Sequence, residues 1–71
     1  MNIQISQIIT IILNNRIVCV DTNIRDLRKQ FLKIEPEFWK YDRLYARLRK
    51  EPYTLFETEG KEYHIELTKT K

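Results

Sequence analysis

A chain of 71 residues with one glycine, two prolines and 42% hydrophobic residues has room for one small domain with a thin core. A domain of this size buries only about 60% of the surface its unfolded chain exposes, which leaves little depth for an enzyme cleft. The composition argues against a disordered or linker-like chain, and the net charge of +3 leans mildly towards polyanions.

The lone Cys19 rules out an internal disulfide, so a reducing, intracellular setting is expected. The longest apolar run, Ile8 to Leu13, is interrupted by Thr10 and falls far short of the roughly 18 residues of a membrane span. No Lys or Arg precedes it, which argues against a signal peptide. Charge is unevenly spread. Residues 1–21 net zero, residues 22–50 carry nine Lys/Arg against four Asp/Glu, and residues 51–71 carry three Lys against five Glu. The basic character belongs to the middle of the chain.

In chain order, Ile5, Ile8, Ile9, Ile12 and Leu13 stand at the spacing of an amphipathic helix over residues 4–14. The alternation of Ile3 and Ile5 leaves a strand open at the extreme N-terminus. Asn14-Asn15 suits the end of that helix, since Asn tolerates the left-handed conformation. Residues 17–20, IVCV, form a short apolar run of strand formers. Asp21 or Thr22 can cap a second helix, in which Ile24, Leu27, Phe31 and Ile34 repeat at helical spacing. Pro36 ends it and suits the first turn of a third helix that runs to about Lys50. Tyr53 and Leu55, then Tyr63, Ile65 and Leu67, alternate on either side of Glu59-Gly60 and predict a hairpin. Residues 68–71 are expected to fray.

The expected fold is therefore a single α+β domain over residues 1–71, with three helices, a short strand and a C-terminal hairpin in the order α-β-α-α-β-β. This arrangement resembles the winged-helix superfamily, a helix-turn-helix core with a hairpin wing. The resemblance spans about residues 4 to 68 and rests on element order and spacing. It implies that TNIRDLRKQFLKI is a supporting helix, EFWKYDRLYARLRK the recognition helix and FETEGKEY the tip of the wing.

At about 100° per residue, Phe38, Tyr41, Leu44, Tyr45 and Leu48 gather on one face of the third helix as core. Lys40, Arg43, Arg47 and Lys50 gather on another, with Trp39 at the edge of that stripe. Arg43 and Arg47 suit bidentate contact with phosphates or guanine edges, and Lys40 and Lys50 act as point charges. Trp39 suits stacking on an unpaired base, although a half-buried packing role is the commoner fate of a lone tryptophan. Arg28 and Lys29 of the second helix extend the basic surface. The same stripe is also what any solvated helix surface presents.

Glu57, Glu59 and Glu62 surround Gly60 with only Lys61 opposing them, and an acidic wing is poorly suited to a phosphate backbone. This keeps a second reading open, a protein-interaction module that uses the acidic wing and Trp39. LOTUS-type domains, small winged-helix modules that bind RNA or a helicase partner, share the size and element order, but their glycine-containing segment before the third helix is missing from LKIEPEFWKY.

With one His and one Cys, a zinc finger cannot be assembled in one chain, and no Cys/His nucleophile pair is expected. His64 alternates to the side of the hairpin opposite Tyr63 and Ile65, and Cys19 reads as an inert buried thiol. No cofactor or metal is expected. The sequence thus predicts a non-catalytic nucleic-acid-binding domain, a DNA-binding regulator, contacting its target through Lys40, Arg43, Arg47, Lys50, Arg28, Lys29 and Trp39. Duplex DNA is the first expected partner and RNA the second. Homodimers are conceivable through the N-terminal isoleucine helix.

Overall fold

The computed structural model describes residues 7–69. They form β1 (Gln7–Leu13), β2 (Arg16–Asp21), α1 (Ile24–Leu32), α2 (Tyr41–Lys50), β3 (Tyr53–Thr58) and β4 (Lys61–Lys69). The four strands make one antiparallel sheet in the order β2-β1-β4-β3. The first and last strands therefore lie side by side in its middle, and each hairpin supplies one edge.

This corrects the expected order of three helices with a hairpin wing. The segment 4–14 does not form a helix: residues 4–6 lie outside the described residues, and 7–13 are strand β1. An almost unbroken run of isoleucines satisfies period two as readily as period 3.6, and β-branched side chains prefer the pleated sheet. Asn14 and Asn15 decide between them. Both take positive φ, 54° and 65°, and Leu13 pairs directly with Arg16, so the two asparagines make a primed hairpin turn rather than a helix end. IVCV then becomes the partner of β1, with a bulge between Ile11 and Ile12 that leaves Val18 packed against the core. The element order that carried the winged-helix resemblance is thus absent. So is the isoleucine helix that was to mediate self-association; Ile9 and Ile11 are fully buried in the sheet. The alternation at Ile3 and Ile5 lies outside the described residues.

The second hairpin forms where the alternation places it. Glu59 and Gly60 take φ of 48° and 80° between Thr58 and Lys61. Strand β4 runs on through Thr68 and Lys69, which pair with Ile8 and Gln7; the rest of the tail expected to fray, residues 70–71, lies outside the described residues.

Helix α1 is capped by Asn23, not by Asp21 or Thr22. The Asn23 side chain accepts from the Asp26 amide at 2.9 Å and donates to the Asp26 carboxylate at 3.1 Å, satisfying an N-terminal donor that would otherwise lack a partner. The helix ends before Ile34, which is 46% exposed. Pro36 sits in a turn in which the Phe38 amide donates to the Glu35 carbonyl at 3.1 Å, a position its fixed φ suits. Helix α2 accordingly starts at Tyr41 rather than near Pro36, with Lys40 as its N-cap.

Both helices cover one face of the sheet. Leu27 and Phe31 of α1, Phe38 of the connecting loop, and Leu44 and Leu48 of α2 meet Ile9, Ile11, Cys19, Phe56, Tyr63 and Ile65. Each such burial contributes about 1.5–3 kcal/mol. Phe31 is the hub, edge-on to Phe38 and Tyr63 with ring centroids 4.7 Å away in both cases. Tyr41 and Tyr45 are not core residues, contrary to the helical projection. They stack on each other at the surface, 5.8 Å apart, because α2 rests on the sheet through the narrow Leu44–Leu48 stripe.

One carboxylate enters this core. Glu35 is only 8% exposed; it accepts a 2.7 Å hydrogen bond from the Tyr63 hydroxyl and pairs with Lys61 at 3.5 Å. It ties the α1–α2 loop to β4. Burial pushes the Tyr63 hydroxyl up to about 12, helped by the hydrogen bond and charge of Glu35. Burial also pushes the Cys19 thiol up, which suits an inert packing residue.

Candidate functional site

The helical layer presents the cations. Arg25, Lys29 and Lys33 of the α1 segment and Lys40, Arg43, Arg47, Arg49 and Lys50 of the α2 segment are all exposed, while Arg28 is half-buried. Among the described residues the single ion pair within 4.0 Å is Lys61–Glu35. None of these nine cations therefore has its charge answered by a neighbouring carboxylate.

Three of them converge on Trp39. This residue lies in the loop before α2 and is half-buried against the core. Its ring stacks on Phe38 at 5.6 Å and meets Phe56 of β3 edge-on at 5.3 Å. The guanidinium carbons of Arg43 and Arg47 lie 5.3 Å and 4.6 Å from its centroid, within cation–π range. Arg47 also donates to Thr54 Oγ1 on β3 at 3.5 Å. Arg28 reaches over from α1 and donates from Nε to the Trp39 carbonyl at 2.8 Å. The indole thus seats two arginines of one helix, and a third fixes the loop that carries it.

A guanidinium drawn onto an aromatic ring keeps its donors in its own plane, free for an anion, and loses less rotamer freedom when it binds. The arrangement also explains why two like charges four residues apart on α2 are tolerated, since each is attracted by the ring quadrupole. Trp39 is itself covered in this state. An unpaired base could stack on it only by displacing Arg43 and Arg47.

The other expected residues divide. Lys40, the N-cap, and Lys50, the last residue, are exposed at the two ends of α2. Lys29 is exposed on α1, and its side chain makes no hydrogen bond or ion pair among the described residues. Arg49, which is not among the expected contacts, lies 5.7 Å from the Tyr45 ring on the far side of α2. An aromatic pair at i, i+4 followed by an arginine at i+8 was the available signal, masked by assigning both tyrosines to the core.

The acidic hairpin does not join Trp39 in one surface. Phe56, which touches Trp39, faces the helices, whereas alternation turns Glu57 and its cross-strand neighbour Glu62 to the other face. Among the described residues no three or more His, Cys, Asp or Glu side chains are grouped to hold a metal ion, and no helix is long and apolar enough to cross a membrane.

Compared with family models, curated proteins and solved structures, the chain matches none.

Proposed function

We propose that the protein is a non-catalytic nucleic-acid-binding domain that grips the phosphate backbone with its helical face. The observation that carries this reading is the seating of Arg43 and Arg47 on Trp39, on a surface where no cation of the helical layer has a carboxylate partner. Ordered, unneutralised guanidinium groups are what bidentate phosphate recognition requires. Arg43 and Arg47 are the central contacts, Lys40 and Lys50 extend the track along α2, and Arg28 acts through the Trp39 loop. Lys29 adds charge from α1. Helix α2, ten residues long and so roughly 15 Å, is short enough to lie in or across a groove of a duplex. The cover over Trp39 favours backbone contact over base stacking, and hence duplex DNA ahead of single strands.

Equilibrium binding of labelled duplex DNA, single-stranded DNA and RNA at low salt tests this. The duplex is expected to bind tightest, and the Arg43→Glu/Arg47→Glu variant is expected to lose at least tenfold in affinity for it. Binding of all three no stronger than to a neutral control protein defeats the proposal.

A further inference from the structure

The sheet has a second face, and no helix of the described chain covers it. The helices lie on the side that carries Ile9, Ile11, Tyr63 and Ile65; alternation turns Ile8, Ile12, Leu55 and His64 to the other. This open face is divided lengthwise. Its β1–β2 half is mainly aliphatic, with Ile8, Ile12, Ile17 and Val20 around Thr10, and Ile17 and Val20 are 63% and 50% exposed. Its β3–β4 half carries Glu57, Glu62 and Glu66 beside Tyr53, Leu55 and His64.

Glu57 and Glu62 stand directly opposite each other in the ladder, a like-charge pairing that weakens a sheet. None of the three carboxylates has an ion-pair partner among the described residues. No Lys or Arg of the described strands shares their face, because Arg16, Lys61 and Lys69 pair with Leu13, Thr58 and Gln7 on the helical side. Between the two hairpin turns lies a concavity of about 500 Å³ lined in part by Ile12, Glu62, His64 and Glu66, and also by Lys61, whose ammonium pairs with Glu35.

We infer that this open face docks a basic amphipathic helix from a partner protein. The division of the face sets the chemistry. A helix laid along the β1–β4 junction would place an apolar stripe on Ile12, Ile17 and Val20, and its Lys/Arg flank over Glu62 and Glu66. Four strands spaced about 4.8 Å apart give a floor wide enough for one helix of about 10 Å diameter with the acidic strip beside it. A second copy of this chain fits poorly. Face to face, two copies would set their Glu57, Glu62 and Glu66 carboxylates either against one another or onto the partner's Ile17 and Val20, and the cationic helical surface carries no aliphatic stripe to cover Ile17 and Val20. The nucleic-acid face lies on the other side of the sheet, so both partners can bind at once.

The test uses a synthetic helical peptide of about 18 residues with leucines at i, i+3, i+4 and i+7 and Lys/Arg on one flank, titrated into the isotope-labelled full chain. Amide shifts are expected at Ile12, Ile17, Leu55 and Glu66, with Arg43 and Arg47 unmoved. Glu62→Lys and Glu66→Gln are each expected to weaken binding, the reversal at least tenfold, with unchanged circular dichroism, and added duplex DNA is expected not to displace the peptide. The proposal is overturned by absence of shifts, by shifts centred on the helices, or by equal binding of a peptide with the same leucines and an acidic flank. Sedimentation that shows the chain dimerising through this face, lost in Ile17→Ser, would also overturn it in favour of a second copy.

Discussion

At the scale of single residues, the Glu35 carboxylate and the Tyr63 hydroxyl are held together in the core, and each has a consequence that can be measured. Glu35 is buried and depends on the Tyr63 hydroxyl and Lys61. Tyr63→Phe keeps the ring packed on Phe31 but strips the carboxylate of its hydrogen-bond donor, so urea denaturation should show a loss of about 1–3 kcal/mol. Burial of Tyr63, helped by the same bond, sets an alkaline limit. Tyr63 holds its proton up to about 12 in the folded chain, whereas an unfolded tyrosine ionises near about 10. The unfolded state therefore gives up a proton that the folded state keeps, and the stabilisation, complete below pH ~10, is lost as the pH rises towards ~12. The difference in stability between the native chain and Tyr63→Phe should shrink across that window. A difference that stays constant would place the tyrosine outside the linkage. On the outer surface, Trp39→Ala removes the seat of Arg43 and Arg47 and uncovers Phe38 and Phe56. It should lower both stability and polyanion affinity, while Lys29→Ala lowers only the latter, and slightly.

At the scale of elements, the two hairpins share one device, a two-residue turn with both φ positive, but only one announced itself. Glu59-Gly60 stands between clean alternations and contains the only glycine of the chain, so the β3–β4 hairpin was legible. Asn14-Asn15 has the same capability, yet it follows a run in which isoleucines occupy both faces of any periodicity. The core side of β1 is shown by burial of Ile9 and Ile11 and not by their spacing, and only pairing with β2 and β4 resolves it. The third helix was legible as an element and partly as a surface. Its basic stripe is exposed, but its start moved to Tyr41 because Pro36 serves a turn. Its tyrosines moved outward because the seat on the sheet takes only two leucines. The stacking of the arginines on Trp39 had no signature beyond the i+4 and i+8 spacing from the indole. The turns make a further prediction. Glu59 holds a left-handed φ of 48° without the local hydrogen bonding that makes Asn tolerant of it, so Glu59→Asn should stabilise the hairpin by about 1 kcal/mol, read as a higher Tm. A fall in Tm would mean that the Glu59 side chain contributes something its strain conceals.

At the scale of the whole molecule, the sheet separates two surfaces of opposite character. The helical side carries nine cations between residues 25 and 50, and the open side carries aliphatic residues flanked by Glu57, Glu62 and Glu66. The sequence showed the imbalance between the middle and the end of the chain, but not that a sheet divides them, because the acidic strip arises only when β4 pairs with β1. That division answers the objection an acidic hairpin raises to phosphate binding: Glu57 and Glu62 point away from the surface on which Arg43 and Arg47 lie. The central claim is that those two arginines meet phosphates, and the salt dependence of duplex binding tests it most directly. Each phosphate contact contributes about 0.9 to the slope of log affinity against log salt. The Arg43→Gln/Arg47→Gln chain should therefore bind with a slope shallower by about 2 than the native chain. An unchanged slope, with affinity still present, would show that the arginines do not touch the backbone and would contradict the account.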